Sequence, residues 1–246
     1  MTADGYTPQA LVPRTRAAIA ARGLRPVLGD YARFAADAAA GLPRVVLGSH
    51  RRFSIWGEEY SYLAHPHKLS WLSERTVEVP VAQALVDRHS GERVLEVGNV
   101  LSHYRPQQHI VVDKYERAAG VLNRDVIDLS DLGDFDLIVA VSTLEHVGLD
   151  EQPPDPDKPV QAAQALRAML APGGKLLITL PAGYNRDFDA AVRSGALPIS
   201  KAAGLRRIPG RNAWREVEPD DVFSAPYDFL LYRARGVLFA LIDPIE

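Results

Sequence analysis

Two short apolar segments constrain this chain more than any other feature, Arg93–Gly98 and His109–Asp113. The first contains Glu96 and ends in Gly98, and the second ends in Asp113, fifteen positions after that glycine (98 to 113). Adjacent parallel strands form a crevice at their carboxyl ends, where a glycine lets the backbone approach a ligand and an acid bonds ribose hydroxyls. The pattern therefore predicts two neighbouring parallel strands that hold a nucleoside-like cofactor.

Two later segments strengthen the α/β interpretation. Residues 135–147, FDLIVAVSTLEHV, indicate a strand, a loop and the start of a helix, and residues 170–181, LAPGGKLLITLP, indicate a helix end, a tight turn and a buried strand. Near-continuous apolar strands separated by helices are typical of a parallel sheet covered on both faces. We expect its strands at about 93–97, 110–113, 121–125, 137–141 and 175–180, with the clearest helix at 159–170.

In this order the four segments resemble a class I S-adenosylmethionine-dependent methyltransferase, over roughly residues 80–181. The two later segments are quite specific to that family, whereas the glycine segment departs from it. Val100 and Ser102 stand where the family usually has its second and third glycines. The connections from Gly98 to Asp113 and from Asp113 to Asp125 are too short for full helices, so the chain resembles a compact branch of the family.

The resemblance implies a Rossmann-like, mostly parallel sheet with helices on both faces and an antiparallel last strand, and it implies S-adenosylmethionine as the cofactor. The last strands are expected at 214–217 and 237–242. It also implies that residues 81–246 form the cofactor-binding domain, with an acceptor-binding insertion at about 186–215.

Residues 1–80 are predicted to form a helical and aromatic N-terminal cap. Helices are expected at 14–21 and 30–40, closed by Gly23 and Gly41, and a short strand at 45–47. Residues 54–67, rich in Trp and Tyr, follow. The cap either closes over the cofactor cleft or is an appendage that covers one sheet face.

Composition limits the partners and the compartment. The 246 residues carry a net charge of −3, which argues against a broad polyanion-binding surface, so we expect no nucleic-acid partner. There is no cysteine, which excludes disulfides and cysteine metal sites. No signal peptide or membrane span is visible in the sequence, so we expect no membrane partner and a cytoplasmic location.

Asp113 is the leading candidate for the cofactor's ribose hydroxyls, and the alternative role of a carboxylate there is to cap a helix N-terminus. Glu96 either contacts the cofactor's amino group or anchors the glycine loop through backbone amides. Asp125, preferred over Asp128, is expected near the adenine amino group. The resemblance places the remaining cofactor contacts at Gly98, Asn99, Ser142, Thr143 and Glu145.

Two histidines compete for the role of general base. Methyl transfer to oxygen or nitrogen is a direct displacement in which the protein aligns the acceptor and often removes its proton with a base whose pKa lies near 7. His146, just after the fourth strand, and His103, in the glycine loop, both suit that role. The alternative for His146 is a packing or cofactor-contact role at the helix start, and Tyr184 and Asn185 could position the acceptor.

A metal site is not expected. His65 and His67 alternate, and His50 precedes them, but no acid or histidine at a fixed offset completes a ligand set. Aromatic residues near them could wall the sulfonium through cation–π contacts, although ordinary packing is the favoured role for each one. These aromatic residues are Trp56, Tyr60, Tyr62 and Trp71.

The predicted function is methyl transfer from S-adenosylmethionine to the oxygen or nitrogen of a small molecule, with a role in secondary metabolism. Alternatives are a non-methylating S-adenosylmethionine-binding protein (a cyclase or scaffold), a nicotinamide oxidoreductase and an RNA methyltransferase. Basic residues in the 186–215 insertion favour a small anionic acceptor, unless they only keep a loop soluble. They are Arg186, Arg193, Lys201, Arg206, Arg207, Arg211 and Arg215.

Overall fold

The computed structural model describes residues 11–47, 51–209 and 213–245. This part of the chain contains five α-helices and ten strands. The helices are α1 (Leu11–Arg22), α2 (Leu24–Leu47), α3 (Arg75–Arg88), α4 (Lys158–Ala168) and α5 (Arg186–Arg193). The strands are β1 (Arg52–Ile55), β2 (Glu58–Ser61), β3 (Val94–Val97), β4 (Ile110–Val112), β5 (Val121–Leu122), β6 (Phe135–Val141), β7 (Leu170–Pro181), β8 (Ile199–Arg207), β9 (Trp214–Val217) and β10 (Gly236–Ile242).

Eight strands form the central sheet, in the order β5-β4-β3-β6-β7-β10-β8-β9. The five strands from β5 to β7 are parallel, and β10 runs antiparallel to both of its neighbours, β7 and β8. The predicted mostly parallel sheet with an antiparallel last strand is therefore confirmed. The chain builds β3, β4 and β5 outward in one direction and then adds β6 and β7 on the other side of β3. The carboxyl ends of β3 and β6 thus flank the topological switch point, where open α/β sheets bind ligands.

Helices cover both faces of this sheet. On one face Ala162, Ala163 and Leu166 of α4 pack in a core cluster with buried side chains of β3, β6 and β7. On the other face Val79 and Ala82 of α3 pack against the opposite side chains of the same strands. Every residue of β3 is buried, as expected for a central strand covered on both sides.

The aromatic segment after residue 50 forms a hairpin of β1 and β2 that the sequence did not predict. Phe53, Ile55 and Tyr60 of this hairpin are buried with Trp214 and Phe239 of the sheet. Trp56, Tyr60 and Tyr62 belong to this packing, so the ordinary packing role favoured for them holds. The boundary expected at residue 80 falls inside α3, and the hairpin shares its apolar core with the sheet.

The predicted end of the second helix at Gly41 is wrong, as is the strand at 45–47. Helix α2 continues through Gly41 to Leu47. A Cβ at Gly41 would lie 2.1 Å from Nε1 of Trp71, so glycine is needed there for the close approach of the indole rather than to end the helix. Gly23, by contrast, has φ +83° and separates α1 from α2 as predicted.

Residues 186–215, predicted as a weakly patterned acceptor-binding insertion, are not a loop outside the sheet. The described residues of this range form α5, all of β8 and the start of β9, and β8 pairs with β10 in the sheet. β8 is only partly buried, which explains why its apolar pattern is weak. Arg211 lies outside the described residues. Across the described chain no helix is both long and apolar enough to cross a membrane.

Candidate functional site

A cleft of about 690 Å³ opens at the carboxyl ends of β3, β4 and β6, at the switch point. Eight of the ten candidate site residues line it: Gly98, Asn99, His103, Asp113, Asp125, Ser142, Thr143 and His146. The remaining two, Glu96 and Glu145, are buried beneath it. Most of the candidate residues therefore lie at one cleft, and the contacts of each side chain indicate its role there.

Gly98 brings the loop after β3 against the loop after β6. Its φ is +83°, and a Cβ on it would lie 2.2 Å from Oγ1 of Thr143. Its amide donates to the carbonyl of Val112 at 2.8 Å. Only glycine combines this backbone conformation with such a close approach. Gly98 therefore lets the loops after β3 and β6 meet at the floor of the cleft.

Glu96 anchors the glycine loop from below. Its side chain is fully buried, and Oε1 accepts the amides of Val100 at 2.8 Å and Leu101 at 2.7 Å. Oε2 lies 2.8 Å from Nε2 of His109. Of the two roles that the sequence left open, the geometry supports the loop anchor, because the carboxylate faces the loop amides and does not line the cleft.

Asp113 lines the cleft but also organises its own turn. Oδ1 accepts the amides of Tyr115 at 2.8 Å and Glu116 at 2.7 Å, and Oδ2 accepts the amide of Asn99 at 3.1 Å. A carboxylate offers about four acceptor sites, so one remains for a ligand hydroxyl. The capping role and the ligand role are compatible at this residue.

Glu116 is a cleft carboxylate that the sequence reasoning missed. Its Oε1 accepts Nδ2 of Asn99 at 2.8 Å, and its Oε2 lies 3.3 Å from Nε2 of His103. The only signal was an acid three residues after Asp113, in a segment expected to be a shortened crossover. Glu116 and Asp113 together give the β4 end of the cleft two carboxylates.

A network of two lysines and two carboxylates closes the β5 end of the cleft. Asp125 accepts Nζ of Lys114 at 2.8 Å and Nζ of Lys158 at 2.7 Å. Both lysines also contact Glu151, at 3.1 and 2.7 Å. Burial raises the pKa of Asp125, but the two lysines outweigh burial and hold it below its usual value. Asp128, the alternative to Asp125, does not line the cleft.

A buried ion pair supports the cleft floor at the end of β6. Glu78 accepts Oγ of Ser142 at 2.5 Å and Oγ1 of Thr179 at 2.8 Å, and its other oxygen accepts Arg75 at 3.1 Å. Arg75 lines the cleft and also donates to the carbonyl of Val141. Ser142 has φ +43°, a conformation that non-glycine residues adopt rarely and mostly at functional sites. Sequence reasoning missed this pair, whose only signal was charge within an otherwise apolar helix.

His146 has the geometry of an oriented base. Its Nδ1 lies 2.5 Å from Oδ2 of Asp150, which leaves Nε2 for another partner. Burial lowers the pKa of His146, but the hydrogen bond to Asp150 and the charge of Glu145 outweigh burial and raise it above the usual value. Nε2 lies 3.8 Å from Oε1 of Glu145. Asp150 was not anticipated from the sequence.

Glu145 is buried beside that histidine. Its side chain is 1% exposed, and Oε2 has no hydrogen-bond partner among the described residues. Burial is the main reason that the pKa of Glu145 rises to about 8. Its backbone carbonyl accepts Nδ2 of Asn185, whose Oδ1 caps α5 through Phe188, so Asn185 has a structural role.

The second candidate base, His103, belongs to a different cluster. Its ring stacks on His67 with centroids 4.5 Å apart, and its Nε2 faces Glu116. His65 and Tyr104 pack edge-on beside this pair. The described residues contain no group of three or more side chains suited to a metal ion, and His50 lies outside them. Glu116 contacts His103 at 3.3 Å, whereas Asp150 holds His146 at the shorter distance of 2.5 Å.

An aromatic wall stands next to His146. The wall consists of Tyr184, Tyr227, Phe229 and Tyr232. The ring of Tyr184 lies 4.5 Å from that of His146, and Tyr232 lines the cleft. Tyr184 was expected near the acceptor, whereas the three residues from 227–232 were missed because that segment has no periodic pattern.

The basic residues of the predicted insertion do not reach the cleft. None of those that the structure describes is among its lining residues. Arg207 is half-buried and donates to the carbonyl of Leu72, Lys201 lies over the ring of Trp56, and Arg193 lies over Phe223. The expectation of an anionic acceptor depended on these residues lying at the cleft, so it is without support from the residues that the structure describes.

Comparison with known proteins adds structural likenesses at low identity. No family model and no curated protein matches the sequence. N-methyltransferase NodS from Bradyrhizobium japonicum, in complex with S-adenosyl-L-homocysteine, is 17% identical over 67% of this chain and 85% of its own, with a TM-score of 0.42. A Thermotoga maritima SAM-dependent methyltransferase, described as a possible histamine N-methyltransferase, is 17% identical over 71% and 90%, with a TM-score of 0.41. A TehB-like SAM-dependent methyltransferase from Corynebacterium glutamicum is 18% identical over 66% and 86%, with a TM-score of 0.39.

Proposed function

We propose that this protein is an S-adenosylmethionine-dependent methyltransferase that acts on an oxygen or nitrogen of a small molecule. One observation supports the choice of cofactor: the buried carboxylate of Glu96 accepts hydrogen bonds from the loop amides of Val100 and Leu101. In a dinucleotide site such amides, at the N-terminus of a helix, would bind the pyrophosphate. Here they are already satisfied by a negative charge, and only a single turn, Leu101–His103, follows the loop.

The cleft fits a cationic nucleoside. Asp113 and Glu116 provide carboxylates for ribose hydroxyls, and the side chains of Val112, Val126 and Val147 provide an apolar lining for a base. We therefore assign the nucleoside to the β4 and β5 end of the cleft and the reacting atoms to the β6 end.

S-adenosylmethionine, when bound, supplies a methyl group activated by its sulfonium. The chain's own contribution is to align the acceptor and to remove its proton. His146, which lines the cleft, serves as the base, because the contact of Asp150 with Nδ1 leaves Nε2 to take the acceptor's proton. Arg75 and Glu78 hold Ser142 and the end of β6 in place, so the floor keeps its shape while the acceptor binds.

The nucleoside that co-purifies with the protein tests this proposal. The protein is purified under native conditions and denatured, and the released small molecules are identified by mass spectrometry. We expect S-adenosylmethionine or its demethylated product, S-adenosylhomocysteine. Recovery of a nicotinamide dinucleotide in stoichiometric amount would contradict the proposal.

A further inference from the structure

The amino-acid end of the cofactor carries a carboxylate, for which the cleft needs a positive partner if the proposed function is correct. Free backbone amides at the start of a helix bind such an anion readily. In the loop after β3, however, the amides of Val100 and Leu101 donate to Glu96. The amide of Asn99 donates to Asp113. We therefore expect a side chain, rather than this loop, to bind the carboxylate.

Four cationic lysine and arginine side chains line the cleft. They are Lys68, Arg75, Lys114 and Arg124. Each of the last three has a nitrogen 2.6–3.1 Å from a carboxylate oxygen of the protein, so its charge is already balanced. Lys68 forms no hydrogen bond or ion pair with any residue that the structure describes. Its ammonium is therefore the cleft cation that is available to a ligand.

The backbone holds Lys68 at the rim of the cleft in an uncommon conformation. Lys68 and the residue after it have φ values of +46° and +51°, which non-glycine residues adopt rarely and mostly at functional sites. On one side of Lys68, the ring of His67 stacks on that of His103. On the other side, Oγ of Ser70 accepts the amide of His65 at 3.0 Å and donates to its carbonyl at 2.9 Å. These contacts fix the turn of residues 65–70 against the loop after β3.

We propose that Lys68 binds the carboxylate at the amino-acid end of S-adenosylmethionine. The nucleoside is assigned to the β4 and β5 end of the cleft, and the turn of residues 65–70 meets the loop after β3 through His103. A lysine is a compact charge on a flexible stem, so it can pair with a carboxylate at the open rim without a fixed fork geometry. Lys68 thus contributes to cofactor binding from a turn before α3 rather than from a strand end.

Two ligands that differ only in this carboxylate test the proposal: S-adenosylhomocysteine and its decarboxylated analogue, which ends in a primary amine. Calorimetry measures the binding of each to the intact protein. We expect the wild type to prefer S-adenosylhomocysteine by about fivefold or more, the size expected for a partly exposed ion pair. K68Q should remove this preference by weakening S-adenosylhomocysteine alone, whereas K68R should keep most of it. K201Q makes the same change outside the cleft and should leave both affinities unchanged.

The outcomes separate this proposal from the proposed function. A wild-type protein that does not bind S-adenosylhomocysteine refutes the proposed function. A wild-type protein that binds both ligands equally tightly, or a K68Q variant that keeps the full preference, refutes the role of Lys68 alone. If K68Q weakens both ligands to the same extent, Lys68 only shapes the turn, which also refutes the proposal. Lys68 is exposed, so we expect K68Q to fold.

Discussion

Replacement of Glu96 tests how the cofactor loop is held. Its carboxylate accepts two loop amides and contacts Nε2 of His109, all with the side chain fully buried. Glu96→Ala leaves two amides and a ring nitrogen unpaired in the core, and each unsatisfied buried group costs about 1–3 kcal/mol, so we expect the free energy of unfolding to fall by about 3–5 kcal/mol. Glu96→Gln keeps one acceptor oxygen for the two amides, loses the charge, and turns an NH2 group instead of an oxygen towards Nε2 of His109.

The charge contributes about 1 kcal/mol to each amide bond, because bonds to charged groups stabilise by about 1.5–3 kcal/mol and neutral ones by about 0.5–1.5. We therefore expect Glu96→Gln to cost about 1–2 kcal/mol. Urea unfolding followed by circular dichroism measures both variants. Glu92→Gln, whose side chain is 50% exposed, is the control and should stay within about 0.5 kcal/mol of wild type.

Binding of S-adenosylhomocysteine to the same variants distinguishes the two roles of Glu96. If it anchors the loop, Glu96→Gln should bind the ligand with nearly wild-type affinity under conditions where it is folded. A Glu96→Gln protein as stable as wild type that loses most of its ligand affinity would refute the anchor and put the carboxylate in contact with the cofactor.

The other predictions concern the glycine contact and the base. Gly98→Ala should destabilise more than Gly120→Ala, because both glycines have φ near +80° but only Gly98 would place its Cβ against Thr143; equal losses would contradict this. Asp150→Asn should lower the pKa of His146 in an NMR titration, and an unchanged pKa would remove Asp150 as the orienting partner. The pKa of His146 is raised in the folded state, so the pair stabilises at low pH and its contribution disappears as pH rises through that pKa. Asp150→Asn should therefore cost more stability at pH 6 than at pH 9, and the reverse order would contradict the assignment.

The parallel half of the sheet could be predicted because its physics is local. Most residues of β3, β6 and β7 are buried, and Gly98 after β3 and Gly133 before β6 are turn residues, so the hydrophobic pattern and the turn signals indicate the same strand positions. The edge of the sheet could not be predicted in the same way. β8 is partly exposed, and its pairing with β10 depends on contacts about 35 residues away in sequence, which leave no local pattern.

The residues of the site can also be divided into those with a local sequence signal and those without one. Gly98, Asp113 and His146 follow strands, and the position of a residue at a strand's carboxyl end predicts that it faces the cleft. Arg75, Glu116 and Tyr232 reach the cleft from a helix, a turn and an irregular segment, so only the folded chain brings them together. Glu96 is a different case. Its position predicted that it lies near the glycine loop, but the sequence could not decide whether its carboxylate bonds the cofactor's amino group or the loop amides.

The most direct test of the account is a comparison of two ligands on the intact wild-type protein, since the choice of cofactor depends on the carboxylate of Glu96 beneath the loop. S-adenosylhomocysteine and NAD are titrated separately into the protein in the same buffer, and the heat of binding is measured. We predict saturable one-to-one binding of S-adenosylhomocysteine and no measurable heat with NAD. Saturable binding of NAD with none of S-adenosylhomocysteine would contradict the account.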